Sequence, residues 1–92
     1  MKDTWIFMGK GASNPSAVFS SRELAEKWIE SNQLCGMLTK YPVDQSVYDH
    51  SIEQGWFTPQ KDHQQSSKFI QRFTSASMEH YHYETDDSDR AT

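Results

Sequence analysis

The segment FSSRELAEKWIESNQ constrains the fold most, because it carries a complete set of helix signals. Ser20, followed three residues later by Glu23, forms a capping box, in which each side chain satisfies the other residue's backbone amide. Phe19 and Leu24 have the spacing of a hydrophobic staple across that cap. We therefore predict a helix over residues 21–32, and the rest of the chain must cover its apolar face.

The predicted helix is amphipathic. Its apolar face consists of Leu24, Ala25, Trp28 and Ile29. Charged residues occupy much of the remaining surface, and Glu23 with Lys27 has the spacing of a favourable i,i+4 ion pair.

Short runs of β-forming residues stand on both sides of this helix. They are TWIFMG at 4–9, AVF at 17–19, CGMLTKYPV at 35–43 and ASMEHYHYET at 76–85. Gly9 and Pro42 end the first and third of them, because glycine favours turns and proline lacks the amide donor of a strand.

Two further helices are predicted between the third and fourth of these runs. Asp44 can cap the segment QSVYDHSIEQ, and Gly55 follows it in the position of a C′ glycine. A shorter helix is indicated by SSKFIQRF, residues 66–73, whose aromatic residues recur at helical spacing.

The order β, β, α, β, α, α, β favours an α+β fold, in which a small antiparallel sheet of three or four strands carries two or three helices on one face. The short strands and connections leave no room for βαβ crossovers throughout. With 92 residues, the chain is predicted to form one globular domain, residues 1–85, followed by an acidic flexible tail, residues 86–92.

The net charge of −4 is concentrated at one end of the chain. Residues 1–78 hold eight acidic and eight basic side chains, whereas residues 79–92 hold five acidic and one basic. This balance argues against a nucleic-acid partner, whose phosphates need Lys and Arg, and it favours a basic protein partner.

Cys35 is the only cysteine, which excludes an internal disulfide and a multi-cysteine zinc site. A lone thiol is typical of a reducing compartment. The first residues lack the apolar run of a signal peptide, and no segment of the sequence is long and apolar enough to span a membrane. We therefore expect a cytoplasmic protein with no membrane association.

The run EHYHYE raises the question of a metal site. On a strand, His80, His82 and Glu84 share one face, and the tyrosines between them share the other. An H-x-H pair with a carboxylate can hold zinc or another divalent ion, although a closed structural site needs about four ligands. We favour a structural strand with a polar face open to a partner, and we predict no metal and no cofactor.

The sequence contains no specific enzymatic motif. A general acid and base could be supplied by Asp49 with His50 or by His80 with Glu84. Asp49 and Glu53 also share one helix face. Carboxylates on an exposed helix are usually solvated, and the chain has no nucleophile elbow, phosphate-binding loop or metalloprotease signature. We predict that the chain is not an enzyme.

Four blocks of sequence occur in a recognisable order: AVFSSRELAEKWIESNQLCGMLTKYPVDQSVYD, GWFTP, FIQRFTS and EHYHYE. Through them the chain, from Trp5 to Glu84, resembles a family of small bacterial single-domain proteins of unknown function. It departs from the family pattern at Ala17, where glycine is usual, and at His50, where tryptophan is usual. The resemblance implies no activity that can be assigned residue by residue, but some such proteins are similar to immunity proteins, which bind and block a toxin, commonly a basic nuclease.

Our principal hypothesis is an immunity protein that neutralises a cognate toxin by masking its active site. The alternative is a metal- or small-ligand-binding module that uses His80, His82 and Glu84. Trp56 and Phe57 are adjacent and rarely would both face inward, so one of them is expected to be an exposed anchor. The residues predicted to bind the toxin are Asp44, Asp49, Glu53, Trp56, Glu79, Tyr81, Tyr83 and Glu84.

Overall fold

A computed structural model describes residues 3–84, which form four strands and three α-helices. The strands are β1 (Asp3–Gly9), β2 (Ala17–Phe19), β3 (Gly36–Pro42) and β4 (His80–Tyr83). The helices are α1 (Arg22–Ser31), α2 (Val47–Glu53) and α3 (Ser67–Ile70), and a 3-10 helix at Asp62–Gln65 precedes α3. The predicted order of elements is confirmed, whereas the predicted tail, residues 86–92, lies outside the described residues.

The strands form one antiparallel sheet in the order β2–β1–β3–β4. In its centre, Ile6 of β1 lies between Val18 of β2 and Thr39 of β3. β4 pairs with the other side of β3, where Leu38 lies opposite Tyr81. The sheet and its helices confirm the predicted α+β fold.

The hydrophobic core lies between one face of the sheet and α1. Trp5 and Phe7 of β1 project from this face together with Leu38 of β3, because residues two apart on a strand point the same way. All three are buried against Ala25 and Ile29 of α1. The short side chain of Ala25 lets the helix approach the sheet closely, and Ile29 fills the space one turn later.

The cap of α1 lies one residue later than predicted. Ser21, and not Ser20, is the N-cap, because its side chain accepts a hydrogen bond from the backbone N–H of Leu24. The predicted capping box between Ser20 and Glu23 is therefore wrong: either serine can cap, but the extended cap conformation falls on Ser21. Leu24 was predicted on the apolar face that packs against the core, but it is 51% exposed.

The helix α2 is capped by Ser46 and not by Asp44. The Ser46 hydroxyl accepts a hydrogen bond from the backbone N–H of Asp49 and donates one to its carboxylate. Asp44 has a φ angle of 64° in the turn before α2, a conformation that aspartate adopts more readily than most residues. Gly55 has a φ angle of 79° just after α2, as predicted for a C′ glycine.

A second group of aromatic residues, separate from the core under α1, surrounds α2 and α3. Tyr48 of α2 is buried, and its ring centroid lies 5.5–6.3 Å from those of three phenylalanines. The Tyr48 hydroxyl donates a hydrogen bond of 2.7 Å to the backbone oxygen of Gln64 in the 3-10 helix. We call this group the annex cluster; its members are Tyr48, Phe57, Phe69 and Phe73.

Candidate partner-binding groove

A groove of about 360 Å³ opens at the end of the sheet where β1 begins and β3 ends. One wall is formed by α2 and the turn after it, and the other by the segment that leads into β4. We call it the end groove; its lining includes Asp3, Lys40, His50, Trp56, Met78 and Glu79. Of the residues predicted to bind a partner, Trp56 and Glu79 meet here.

Two carboxylates and one ammonium group form the polar side of the end groove. Lys40 Nζ lies 3.5 Å from Asp3 Oδ2 and 3.5 Å from Glu79 Oε1. The antiparallel register brings them together, because Asp3 begins β1 and Glu79 immediately precedes β4 on the other side of β3. These side chains are 36–46% exposed, so the ion pairs stabilise the fold little and leave one net negative charge facing solvent.

Tyr81 holds the Glu79 carboxylate in place. Its hydroxyl donates a hydrogen bond to Glu79 Oε2, and this bond, aided by the charge of Lys40, lowers the pKa of Glu79. Because the folded pKa lies below the ordinary value, the associated stability is present above that value and is lost as the pH falls through the folded pKa. Glu79 therefore stays ionised to a lower pH than an ordinary glutamate.

Trp56 supplies the apolar side of the end groove. It is 41% exposed, and its ring stands edge-on to His50 of α2 with 5.3 Å between the centroids. The His50 ring is itself held by Gln45, whose Oε1 lies 3.1 Å from Nδ1, and the backbone N–H of Trp56 donates to the oxygen of Ser51. A large ring that is fixed by its neighbours and still exposed is typical of an interface anchor.

The predicted acidic residues Asp44, Asp49 and Glu53 lie on α2 and in the turn before it, outside the lining of the end groove. Glu53 Oε1 accepts a hydrogen bond of 3.2 Å from the Gln45 side chain. No ion pair to any of these three carboxylates occurs within residues 3–84. Asp49 and Glu53 are hydrogen-bonded to the neutral side chains of Ser46 and Gln45, so these contacts do not compensate their negative charge.

The remaining predicted residues are not brought to the end groove. Tyr81 and Tyr83 project towards α1, and Glu84 is exposed just past the other end of β4. The Tyr83 hydroxyl donates a hydrogen bond to Glu26, and the Arg22 guanidinium carbon lies 3.5 Å from the centre of the Tyr81 ring. Both rings are therefore engaged by contacts within the chain.

The ion pair on α1 joins Arg22 and Glu26, whose Nε and Oε2 atoms are 3.1 Å apart. It replaces the predicted pair of Glu23 and Lys27. Both pairs have i,i+4 spacing, but only the observed pair lies on the side of the helix that faces Tyr83, and helical spacing alone does not identify that side.

Burial, followed by the hydrogen bond to Glu26, raises the pKa of Tyr83 to about 12. Because this exceeds the ordinary value of 10.0, the stability that it contributes is present below pH 10 and is lost as the pH rises towards 12. We expect a titration of tyrosinate absorbance to show a late step at high pH. The amplitude of this step should fall by one tyrosine in Tyr83→Phe, and its midpoint should shift to lower pH in Glu26→Gln. Tyr41→Phe, on the opposite face of the sheet, is the control and should leave that step unchanged; a late step that Tyr83→Phe also leaves unchanged would contradict the assignment.

His80 and His82 lie on the opposite face of β4 from the tyrosines, as strand alternation predicts. Their rings are edge-on with 5.1 Å between the centroids, and His80 Nδ1 lies 2.7 Å from the backbone oxygen of Met78. Within residues 3–84, no group of three or more His, Cys, Asp or Glu side chains is arranged to hold a metal ion. The geometry therefore does not favour the alternative site on His80, His82 and Glu84.

Two charged residues of the end groove, Asp3 and Lys40, were not predicted from the sequence. Lys40 stands in a predicted strand, where a charged residue usually marks a solvated position, and Asp3 immediately precedes the first predicted strand. Their contribution follows only from the register between β1 and β3, which places Asp3 opposite Pro42 and near Lys40. Register depends on contacts between distant segments, so no local signal could have identified the pair.

Comparison with known proteins identifies a family but no activity. A family model described as a domain of unknown function (DUF7710) matches residues 4–89. No match was found among curated proteins or among solved structures. In the part of the chain that the structure describes, every helix is too short or too polar to cross a membrane.

Proposed function

The chain belongs to the DUF7710 family, and we propose that it is an immunity protein that binds and neutralises a cognate bacterial toxin in the cytoplasm. The proposed partner is a basic nuclease domain whose active site is masked by the end groove and the acidic residues of α2. The chain itself catalyses nothing in this proposal. The observation that carries the proposal is the exposed Trp56 ring beside the carboxylates of Asp3 and Glu79.

The end groove suits a lysine or arginine side chain of the partner. A cation can lie against the Trp56 ring, where cation–π attraction contributes about 0.5–1 kcal/mol at an exposed site. The carboxylates of Asp3 and Glu79 can accept its hydrogen bonds. Lys40 opposes this attraction only in part, because one ammonium group faces two carboxylates.

A nuclease exposes Lys and Arg where it contacts the phosphates of its substrate. An inhibitor that covers those residues therefore blocks the substrate as well. Asp44, Asp49 and Glu53 extend the negative surface beside the end groove and would attract a basic partner from a distance. Such steering raises the association rate at low salt more than it raises the affinity.

The proposal gives Tyr81 a different role from the one predicted from the sequence. Its ring is packed under Arg22, and its hydroxyl positions Glu79, so it supports the groove without forming its surface. Trp56 is then the aromatic anchor of the proposed interface.

The test uses the nuclease domain encoded beside the gene for this chain, purified and assayed with the full chain. We expect inhibition at equimolar concentration, and we expect Trp56→Ala and Glu79→Gln each to raise the Kd at least about tenfold, equivalent to about 1.4 kcal/mol. Glu30→Gln, which removes one exposed charge from α1, is the matched control and should leave the Kd unchanged.

Absence of a toxin gene from the neighbourhood, or a neighbouring nuclease that the chain does not inhibit, would refute the immunity function. Inhibition that is unchanged by Trp56→Ala and Glu79→Gln would refute the end groove as the interface. Zinc that raises the melting temperature of the wild-type chain but not of His82→Ala would support the ligand-binding alternative instead.

A further inference from the structure

We propose that the outer edge of β4 is a self-association surface, at which β4 strands from two copies of the chain pair antiparallel across a two-fold axis. The proposal does not depend on the immunity function. It rests on the direction of the backbone groups of β4, on the composition of this edge and on the complementarity of the strand with itself.

Alternate residues of β4 direct their backbone N–H and C=O groups away from the sheet. The N–H of Lys40 donates a 2.9 Å hydrogen bond to the oxygen of Glu79, so Glu79 and, by alternation, the two tyrosines of β4 bond to β3. His80 and His82 therefore present their backbone groups outward. No other strand within residues 3–84 lies beyond β4 to pair with them.

The two edges of the sheet differ in their protection. Natural proteins shield exposed edges with very short strands, proline or lysine. The edge strand β2 has three residues and closely follows Pro15. β4 is longer, and residues 79–84 include neither proline nor lysine. β4 is thus the edge that can serve as a template for another strand.

β4 complements itself when the two-fold axis passes beside His82. Each His82 then faces its counterpart in the second copy, with Tyr81 opposite Tyr83 and His80 opposite Glu84. All outward backbone groups meet outward groups, and each His80 meets a carboxylate. Moving the axis to Tyr81 would pair each His80 with His82 of the second copy and would remove both pairs with Glu84.

The surroundings leave this edge accessible. On the core face, the backbone of α1 lies mainly over β1 and β2, and α1 reaches β4 through side-chain contacts with Tyr81 and Tyr83, which leave the outer backbone edge of β4 uncovered. Trp56 and Glu79 of the end groove lie outside residues 80–84. Self-association and binding of another protein therefore use different surfaces.

The test measures the mass of the full chain by sedimentation equilibrium. We expect the mass to rise from 10.7 kDa towards twice that value between about 10 µM and about 1 mM, because a short strand pair buries little surface and associates weakly. His82→Pro removes an outward N–H that has no partner in β3, and it should weaken association at least about tenfold. His82→Ala keeps that N–H and is the matched control, and circular dichroism verifies that both variants remain folded.

A charge exchange tests the register independently of proline. Glu84→Lys should weaken association at least about tenfold, and combining it with His80→Glu should restore the wild-type constant to within about threefold. A wild-type chain that stays at 10.7 kDa throughout would overturn the proposal. Association that is unaffected by His82→Pro would exclude β4 as the surface, and a double variant that fails to recover would exclude the register centred on His82.

Discussion

Gly36→Ala is expected to lower the free energy of unfolding by about 3 kcal/mol, at the upper end of the usual range for overpacking. A Cβ atom on Gly36 would lie 2.3 Å from the backbone oxygen of Met8 and 2.7 Å from the Phe7 ring. Neither neighbour can withdraw easily, because Met8 is paired with Met37 of β3 and Phe7 is 2% exposed in the core. The substitution therefore forces the two central strands apart.

Gly11→Ala provides a control in which backbone strain occurs without a steric conflict. Gly11 has a φ angle of 77°, but a Cβ atom there would meet nothing within 4 Å. We expect a cost of about 1 kcal/mol from the left-handed conformation alone. Equilibrium urea denaturation compares both variants with the wild type. If Gly36→Ala is no less stable than Gly11→Ala, β1 and β3 must lie further apart at this point than the structure places them.

The elements that could be predicted are those whose signals are local. The apolar stripe of α1 is contained in ten consecutive residues, and Ala25 and Ile29 face the core as its spacing requires. Strand alternation also placed the histidines and tyrosines of β4 on opposite faces. The prediction that Trp56 or Phe57 would be exposed is confirmed, since Phe57 packs in the annex cluster and Trp56 remains 41% exposed.

The helix caps were predicted less well because neighbouring residues compete for the same role. Ser20 and Ser21 can each accept the free amide at the start of α1, and the choice depends on where the chain leaves β2. Asp44 and Ser46 compete in the same way before α2, and the turn after β3 decides in favour of Ser46. Local preference limits such a choice to a few residues, and the tertiary fold determines which one is used.

The candidate site was predicted in part. The residues that could not be predicted are those whose position depends on contacts between segments that are distant in sequence. Trp56 and Glu79 could be suggested because an exposed aromatic ring and an acid have recognisable chemistry. Their meeting with Asp3 and Lys40 depends on the register of three strands that are distant in sequence. The engagement of Tyr81 by Arg22 likewise depends on how α1 crosses the sheet, which helical spacing does not specify.

Tyr48→Ala is expected to lower the stability of the annex cluster by about 3–5 kcal/mol, the usual range for deleting a buried aromatic ring. Tyr48 is buried and is the residue through which α2 contacts Phe57, Phe69 and Phe73. The core under α1 does not include it. We therefore expect local opening: amide hydrogens of residues 57–73 should exchange much faster, while those of β1 and β3 stay protected.

Tyr48→Phe is the matched control, because it keeps the ring and removes only the hydrogen bond to the oxygen of Gln64. It should cost about 1 kcal/mol and leave the exchange pattern largely intact. Equal acceleration of exchange in β1 and β3 in Tyr48→Ala would contradict the separation of the two clusters.

Tyr48→Ala also tests the end groove, since Trp56 is joined directly to Phe57. If the annex cluster holds Trp56 in place, Tyr48→Ala must weaken binding of the proposed partner although Tyr48 does not line the groove.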